Sequence, residues 1–201
     1  MSGDIAFVGD VHGNLNALRG LWDALVARGE QHTVFLGDYI NKGPQSAEVL
    51  RELIQYSHNG RATLLKGNHE VALLEAIESG DLTVFLKMGG AMTIRSYTGP
   101  RVGANVAEEF RTAVPEEHLE AMRRMSDTYE TEVVIAQHLP PTHTSKFRIS
   151  AHTPVGIRPR IGPSSAELDT GCGSGGGRLT ALLWPSRDYL QVDADGALVT
   201  T

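Results

Sequence analysis

Cysteine is nearly absent: Cys172 stands alone in 201 residues. No internal disulfide can form, which fits a reducing cytoplasm. No apolar run approaches the roughly 18 residues of a membrane span. Asp4 also falls where a signal peptide needs apolar residues. A soluble, cytoplasmic protein with no membrane partner is expected. Aromatics make up only 6% of the chain, little material for stacking on nucleobases. Positive charge is in deficit, with 18 Lys and Arg against 24 Asp and Glu and a net charge of −6. That leaves no basic face to track a phosphate backbone, so nucleic acid is not an expected partner. What is present is a globular balance of 41% hydrophobic and 21% charged residues. At this length it predicts one α/β domain over residues 1–201, with no linker and no internal repeat.

Short apolar runs alternate with helical patterns through the first seventy or so residues. Ile5–Val8, Thr33–Leu36 and Ala62–Leu65 read as buried strands. Helices are predicted over Asn14–Arg28, from Pro44 through Tyr56, and over His69–Glu78. Asn14 can cap the first of these and Gly29 can close it. Three β-then-α units in a row imply a parallel or mixed sheet with right-handed crossovers. Further along, Glu116–Met125 has helical spacing. Strands are expected at Val133–Ala136, around Ile149–Ser150, near Glu167–Leu168 and at Leu179–Trp184, with Gly171–Gly177 as a loop.

The polar clusters fall just after predicted strands: Gly9-Asp10-Val11-His12-Gly13-Asn14, Gly37-Asp38-Tyr39-Ile40-Asn41-Lys42-Gly43-Pro44 and Gly67-Asn68-His69-Glu70. In an open α/β sheet the carboxyl ends of strands form the ligand crevice, so three loops would deliver Asp, His and Asn to one place. Carboxylate and amide oxygens mixed with imidazole nitrogens suit manganese, iron or zinc better than calcium. One Gly-Asp pair after a strand is ordinarily a turn. Three loops with a ligand-capable residue at the same station point instead to a metal site.

These motifs resemble those of the calcineurin-like metallophosphoesterases. Within that family they are similar to the phosphoprotein phosphatase branch, which includes bacterial Ser/Thr phosphatases and symmetrical diadenosine tetraphosphate hydrolases. The likeness extends to the GG-x-x-T-x-x-SY segment at Gly89–Tyr97, to His152-Thr153-Pro154 and to Leu168–Leu182. It implies a two-sheet α/β metallophosphoesterase sandwich flanked by helices. It also implies two divalent metals, with manganese favoured and iron or zinc as alternatives. Asp10 and His12 would bind the first metal and Asp38 would bridge, while Asn68, His138 and His152 would complete the second. Such a pair polarises phosphoryl oxygens and holds a bridging hydroxide for in-line attack. His69 matches the family's general acid.

Four departures from the family pattern stand out. Asn41-Lys42 replaces the usual Asp-Arg. Asn41 can still accept a hydrogen bond, but it brings no charge to favour an imidazolium on His69. Lys42 offers a phosphate a point charge in place of a bidentate clamp. His138-Leu139-Pro140 replaces a His-Ala-Gly, and the interval from His138 to His152 is short. Arg148, the arginine of that interval, is the candidate phosphate binder.

His143, five residues beyond His138, is an alternative ligand. His32, His58 and His118 read as surface residues, and Cys172 as a packing residue. Arg101, Arg158 and Arg160 read as solvated charges. The resemblance implies a Ser/Thr-type protein phosphatase acting on phosphorylated substrates, with a symmetrical dinucleoside tetraphosphate hydrolase or a small-molecule phosphatase as the alternative. A phospho-ligand-binding module without turnover is a third reading. Without a charged partner for His69, activated phosphoesters and phosphoanhydrides are expected to be the better substrates. Oligomeric state is not legible.

Overall fold

Ala6 and Phe7 are neighbours in the first strand yet enter different cores, and that division organises the fold. The computed structural model describes residues 5–101 and 103–199. Strands β1 (Ile5–Val8), β2 (His32–Phe35) and β3 (Ala62–Leu64) run parallel in one sheet. Two antiparallel strands, β9 (Leu179–Trp184) and β10 (Tyr189–Val192), complete it in the order β10-β9-β1-β2-β3. The second sheet holds β4 (Thr128–Glu130), β5 (Val134–Gln137), β6 (Phe147–Ser150), β7 (Arg160–Ile161) and β8 (Ser165–Glu167). Its order is β4-β5-β6-β8-β7, with β5, β6 and β8 parallel.

Side chains alternate along each strand, so the central strands of the first sheet serve two cores at once. Phe7, Val34, Leu36 and Leu182 meet Val134, Ala136, Phe147, Ile149 and Ala166 between the sheets. Ala6, Val8, Phe35 and Ala181 face the other way and pack against helices. Burial on both faces is why these strands read as continuous apolar runs.

Helix α1 (Leu15–Ala27) starts at Asn14, whose side chain accepts from Ala17 N, and buries Leu15, Leu18, Leu21 and Leu25. Gly29, at φ 83°, closes it. Helix α2 spans Ser46–His58 and begins two residues later than expected. The reason is that Asn41 and Lys42 are left-handed and Gln45 N is tied to Gly13 O at 3.0 Å, which holds the preceding loop out of the helix. Helix α3 spans Asn68–Ser79.

Three further helices, α4 (Thr83–Lys87), α5 (Ala91–Thr98) and α6 (Val106–Ala113), went unpredicted. They pack Phe85, Ile94 and Phe110 onto the helix-side core. Gly90 admits the Phe85 ring, whose nearest atom would lie 2.5 Å from an added Cβ. Helix α7 covers Glu116–Arg124. The strands missed by sequence, β4, β7 and β10, are edge strands, which carry too few buried residues for an apolar pattern.

Two histidines depart from the surface reading. His118 is buried and its Nδ1 lies 2.7 Å from the Tyr97 hydroxyl. His32 opens β2, half-buried, with Nε2 2.9 Å from Thr63 Oγ1. His58 ends α2 in the open. Among the described residues, no helix is long and apolar enough to cross a membrane.

Candidate metal centre

The loops that leave β1, β2 and β3 are locked to one another by backbone hydrogen bonds. Val11 N and His12 N both donate to Asp38 O, at 3.1 and 2.9 Å, and Gly13 N donates to Tyr39 O at 2.7 Å. Glu70 ties in the third loop. Its Oε2 accepts from Gly67 N at 3.0 Å and Asp38 N at 2.9 Å, and its Oε1 accepts from Tyr39 N at 2.9 Å. His138 and His152 arrive from the ends of β5 and β6, and Ala151 N donates to His138 O at 3.0 Å. His12, Asp38, Asn41, Lys42 and His152 all adopt positive φ, between 47° and 70°. Left-handed backbone costs a non-glycine residue about 1 kcal/mol or more, and five of the seven described non-glycine residues that adopt it lie in these loops.

Two groups of side chains could each hold a cation: His12, Asp38 and His69, and Asp38, His138 and His152. Asp38 belongs to both and divides its oxygens between them. Its Oδ1 lies 3.4 Å from His138 Nε2, and its Oδ2 lies 3.5 Å from His69 Nε2 and 3.9 Å from His12 Nε2. Asn68 Oδ1 joins the second group, 2.8 Å from His138 Nε2 and 2.9 Å from His152 Nδ1. Asp10 Oδ2 is 3.4 Å from His12 Nε2. Ligand atoms bound side by side to one ion at ~2.1 Å stand about 3 Å apart, so this spacing fits a metal.

The ring nitrogens are oriented for ligation. His12 Nδ1 and His138 Nδ1 lie 2.9 and 3.0 Å from the carbonyls of Ile40 and Leu36. Each Nδ1 is held at a carbonyl, which turns Nε2 toward the centre, where a cation would take it from the neutral ring. Lys42 Nζ sits 2.6 Å from His12 Nε2, a positive charge beside the ligand group. Asp169, which sequence reading missed, is 1% exposed, and its Oδ2 has no hydrogen-bond partner among the described residues. Leu168 abuts Gly9, which sets Asp169 near Asp10, and burial together with the Asp10 charge raises its pKa. A surplus of buried carboxylate is what a bound cation relieves.

Charge coupling shapes the titration of the centre. Burial alone would raise the pKa of Asp38, but hydrogen bonding to His138 and the nearby histidines bring it down to about 2. Burial works against a charged His138, yet Asp38 holds its pKa up at about 9. His69 goes the other way: burial pushes it down to about 4.

The structure gathers Asp10, His12, Asp38, Asn41, Lys42, Asn68, His69, His138 and His152 into one place. It does not bring Arg148 there. That residue lies back along β6, where its guanidinium reaches Ser164 Oγ at 3.5 Å. Four residues before His152, it stands up to ~13 Å away along an extended chain. His143 is exposed and outside both ligand groups. Cys172 is buried with Sγ 3.3 Å from Val11 O, and burial pushes its thiol up to about 12. Arg160 pairs with Glu167 at 3.0 Å, and Arg101 and Arg158 are exposed.

Asn41 differs from its expected role. Its carbonyl oxygen is taken by the Thr93 hydroxyl at 2.8 Å, so the amide Nδ2 faces His69 Nδ1, at 2.6 Å. Thr93 lies in the Gly89–Tyr97 segment and Glu70 in the Gly67–Glu70 cluster. Glu70, three residues after a helix-capping glycine, carried a recognisable N-terminal signal.

A family model for calcineurin-like phosphoesterases matches residues 3–160. The chain is 39% identical over 84 residues to serine/threonine-protein phosphatase 2 of Escherichia coli, covering 41% of this chain and 37% of that one. It is 44% identical over 70 residues to a symmetrical bis(5'-nucleosyl)-tetraphosphatase of Paracidovorax citrulli, covering 34% of this chain and 24% of that one. The matches thus span well under half of these curated relatives. Among solved structures, a candidate diadenosine tetraphosphatase shares the fold, with a TM-score of 0.64 and 19% identity over 96% of this chain and 94% of the other.

Proposed function

We propose that this chain, which belongs to the calcineurin-like phosphoesterases, is a two-metal phosphoester hydrolase. The observation that carries the reading is the division of the Asp38 carboxylate, with one oxygen toward His138 and the other toward His12 and His69. A carboxylate in that position can hold two cations where an amide could not neutralise them as well. Asp10 and His12 would hold the first with Asp38, and Asn68, His138 and His152 the second. A pair of divalent ions, with manganese expected and iron or zinc as alternatives, would supply Lewis acidity to the phosphoryl oxygens and lower the pKa of water. Lys42 would neutralise phosphate charge at the mouth of the site, and His69 would present Nε2 to the reacting phosphate.

The likeness to serine/threonine phosphatases supports a phosphoprotein substrate, and the likeness to tetraphosphatases supports a dinucleotide. One observation favours the second: the partner of His69 is the neutral Asn41, which brings no charge to favour protonation for a basic leaving group.

The test is manganese-dependent phosphate release from p-nitrophenyl phosphate, a phosphothreonine peptide and diadenosine tetraphosphate, with Asp38→Asn as the blank. Release from the first two alone supports the phosphatase, and preference for the dinucleotide supports the hydrolase. Metal binding with no turnover above the blank refutes the enzyme reading and leaves a phospho-ligand-binding protein.

A further inference from the structure

The first turn of α3 and the His138-Leu139-Pro140 segment bring two apolar side chains out to solvent beside the metal ligands. Val71 is 39% exposed and Leu139 56%. A lone exposed valine or leucine is ordinary. These two line one groove of about 320 Å³, and Asn68 and His138 line it with them. Val71 follows Asn68 by three residues on α3, so the two share a face, with Cβ atoms about 5–6 Å apart. Leu139 directly follows His138, whose Nε2 lies 2.8 Å from Asn68 Oδ1. The groove therefore opens where the second ligand group ends. Pro140 and Pro141 come next in the chain. A proline restricts both itself and the residue before it, so a ligand that covers Leu139 has little loop freedom to remove.

Charge and size define the occupant. Apart from the metal ligands, the charged residues lining the groove are Lys66 and Asp127, one of each sign, and Lys66 Nζ donates to Arg123 O at 3.3 Å. The groove is thus close to neutral. It suits an uncharged group and offers a chain of further phosphates little to pair with. Its volume is at the small end of ligand pockets, with room for one or two fused rings rather than a nucleoside with its polyphosphate. We propose that the Val71–Leu139 groove is a leaving-group subsite that takes an uncharged aromatic ring carried directly on the ester oxygen, which makes aryl phosphomonoesters substrates of this site. The inference deepens the phosphoesterase reading and rests on it. With the phosphate held beside Asn68 and His138, a ring on the ester oxygen meets Val71 and Leu139 without a spacer. Covering those side chains removes apolar surface from water in the bound state. In the hydrolysis, a water oxygen forms the new bond to phosphorus. The bond from phosphorus to the ester oxygen breaks, its electron pair leaves with the aryl oxide, and that oxide takes up the proton which the water gave to solvent. An aryl oxide is a stable anion, so such esters also meet the condition set by the neutral Asn41.

The test compares phenyl phosphate with 1-naphthyl phosphate, using the full chain with manganese. The two phenols are of similar acidity, so the esters differ chiefly in apolar area. Wild type should favour the naphthyl ester by about tenfold in kcat/KM, through KM rather than kcat. Val71→Ala and Leu139→Ala are surface substitutions, and each should cut that preference by about threefold. The double variant should abolish it. Equal kcat/KM for the two esters in wild type, or a preference that survives in the double variant, overturns the subsite, while phosphate release still upholds the phosphoesterase.

The second readout needs no turnover. 1-Naphthylmethylphosphonate, with carbon in place of the ester oxygen, is titrated into zinc-loaded protein while methyl proton spectra follow Val71 and Leu139. Ring-current shifts at both residues, absent with methylphosphonate, are expected. Turnover of the esters with no shift at either residue overturns the subsite. The shifts without turnover of any ester sink the enzyme reading and keep the groove as a binding site for aryl phosphates. Neither shifts nor turnover sinks both. Diadenosine tetraphosphate is the remaining arm: if it shifts the same methyls and is preferred over the naphthyl ester, the aryl class is overturned in favour of a nucleobase.

Discussion

Glu70 receives the backbone N–H of Asp38 on one carboxylate oxygen and that of Tyr39 on the other, each at 2.9 Å. The carboxylate is fully buried, and burial raises its pKa to about 7. It therefore acts as a clamp on the loop that carries Asp38. Glu70→Ala leaves three N–H donors buried without a partner and should cost about 3–5 kcal/mol in urea unfolding. Glu70→Gln keeps the shape but turns an NH2 against one of those donors, and should cost about 2 kcal/mol. Manganese affinity should fall in both, measured by calorimetry. A change within about 0.5 kcal/mol would mean that the clamp is dispensable.

The choice between His138 and His143 can be settled by metal content. His138 Nε2 sits among Asp38, Asn68 and His152, whereas His143 is exposed. His138→Ala should lose about one equivalent of metal and reduce turnover by about 100-fold or more. His143→Ala should retain both. Equal losses would reassign the ligand.

Metal binding should be linked to pH through His138. In the metal-free protein its pKa is held up at about 9, so the ring is an imidazolium at neutral pH. A cation needs the neutral ring, and must displace that proton. Manganese affinity should therefore rise with pH toward about 9, by up to about tenfold per unit for one displaced proton. The stability of the metal-free protein should run in the opposite sense. The Asp38 pairing is fully present below the ordinary histidine value and is lost as pH rises through about 9. Calorimetry in buffers of different ionisation enthalpy would count the released protons, and a count of zero would refute the linkage.

Gly173 lies in the loop beside the site at φ 79°, where an added Cβ would come within 2.5 Å of His12 Cβ. Gly173→Ala should cost about 1–3 kcal/mol in thermal unfolding and weaken manganese binding by displacing His12. Gly175, two residues on, has open space at the same position, and Gly175→Ala should be silent within about 0.5 kcal/mol. Equal effects would mean that the contact with His12 carries nothing.

His118 and His58 form a second contrasting pair. His118→Ala removes a buried ring and strands the Tyr97 hydroxyl, so a loss of about 2 kcal/mol is expected by denaturant titration. His58→Ala, at an exposed helix end, should stay within about 0.5 kcal/mol. A silent His118→Ala would return that histidine to the surface role its sequence suggested.

That misreading has a definite cause. His118 sits on a helix whose other residues are mostly charged, and nothing local says that Tyr97 will cover it. The central strands were legible because each is apolar on both faces, and α1 because its cap and its spacing agree. The edge strands β4, β7 and β10 and the helices α4 to α6 were not, since their burial comes from partners distant in the chain. Arg148 looked suitable by its place between two histidines. A strand converts sequence distance into length, and its guanidinium ends beside Ser164.

The sequence by itself determined the chemistry on offer: three strand-to-loop units, each ending in Asp, Asn or His, with a fifth and sixth ligand candidate at His138 and His152. That information is local, because a strand, a turn and the residue after it are written consecutively. Only the tertiary structure decided how the donors face one another. It divided the Asp38 oxygens between two groups of histidines, left His143 outside, set Asp169 near Asp10, and turned the Asn41 amide toward His69 through a threonine from another helix. Those choices depend on which side chains are packed together without water, and close packing among distant segments exists only once the chain has folded.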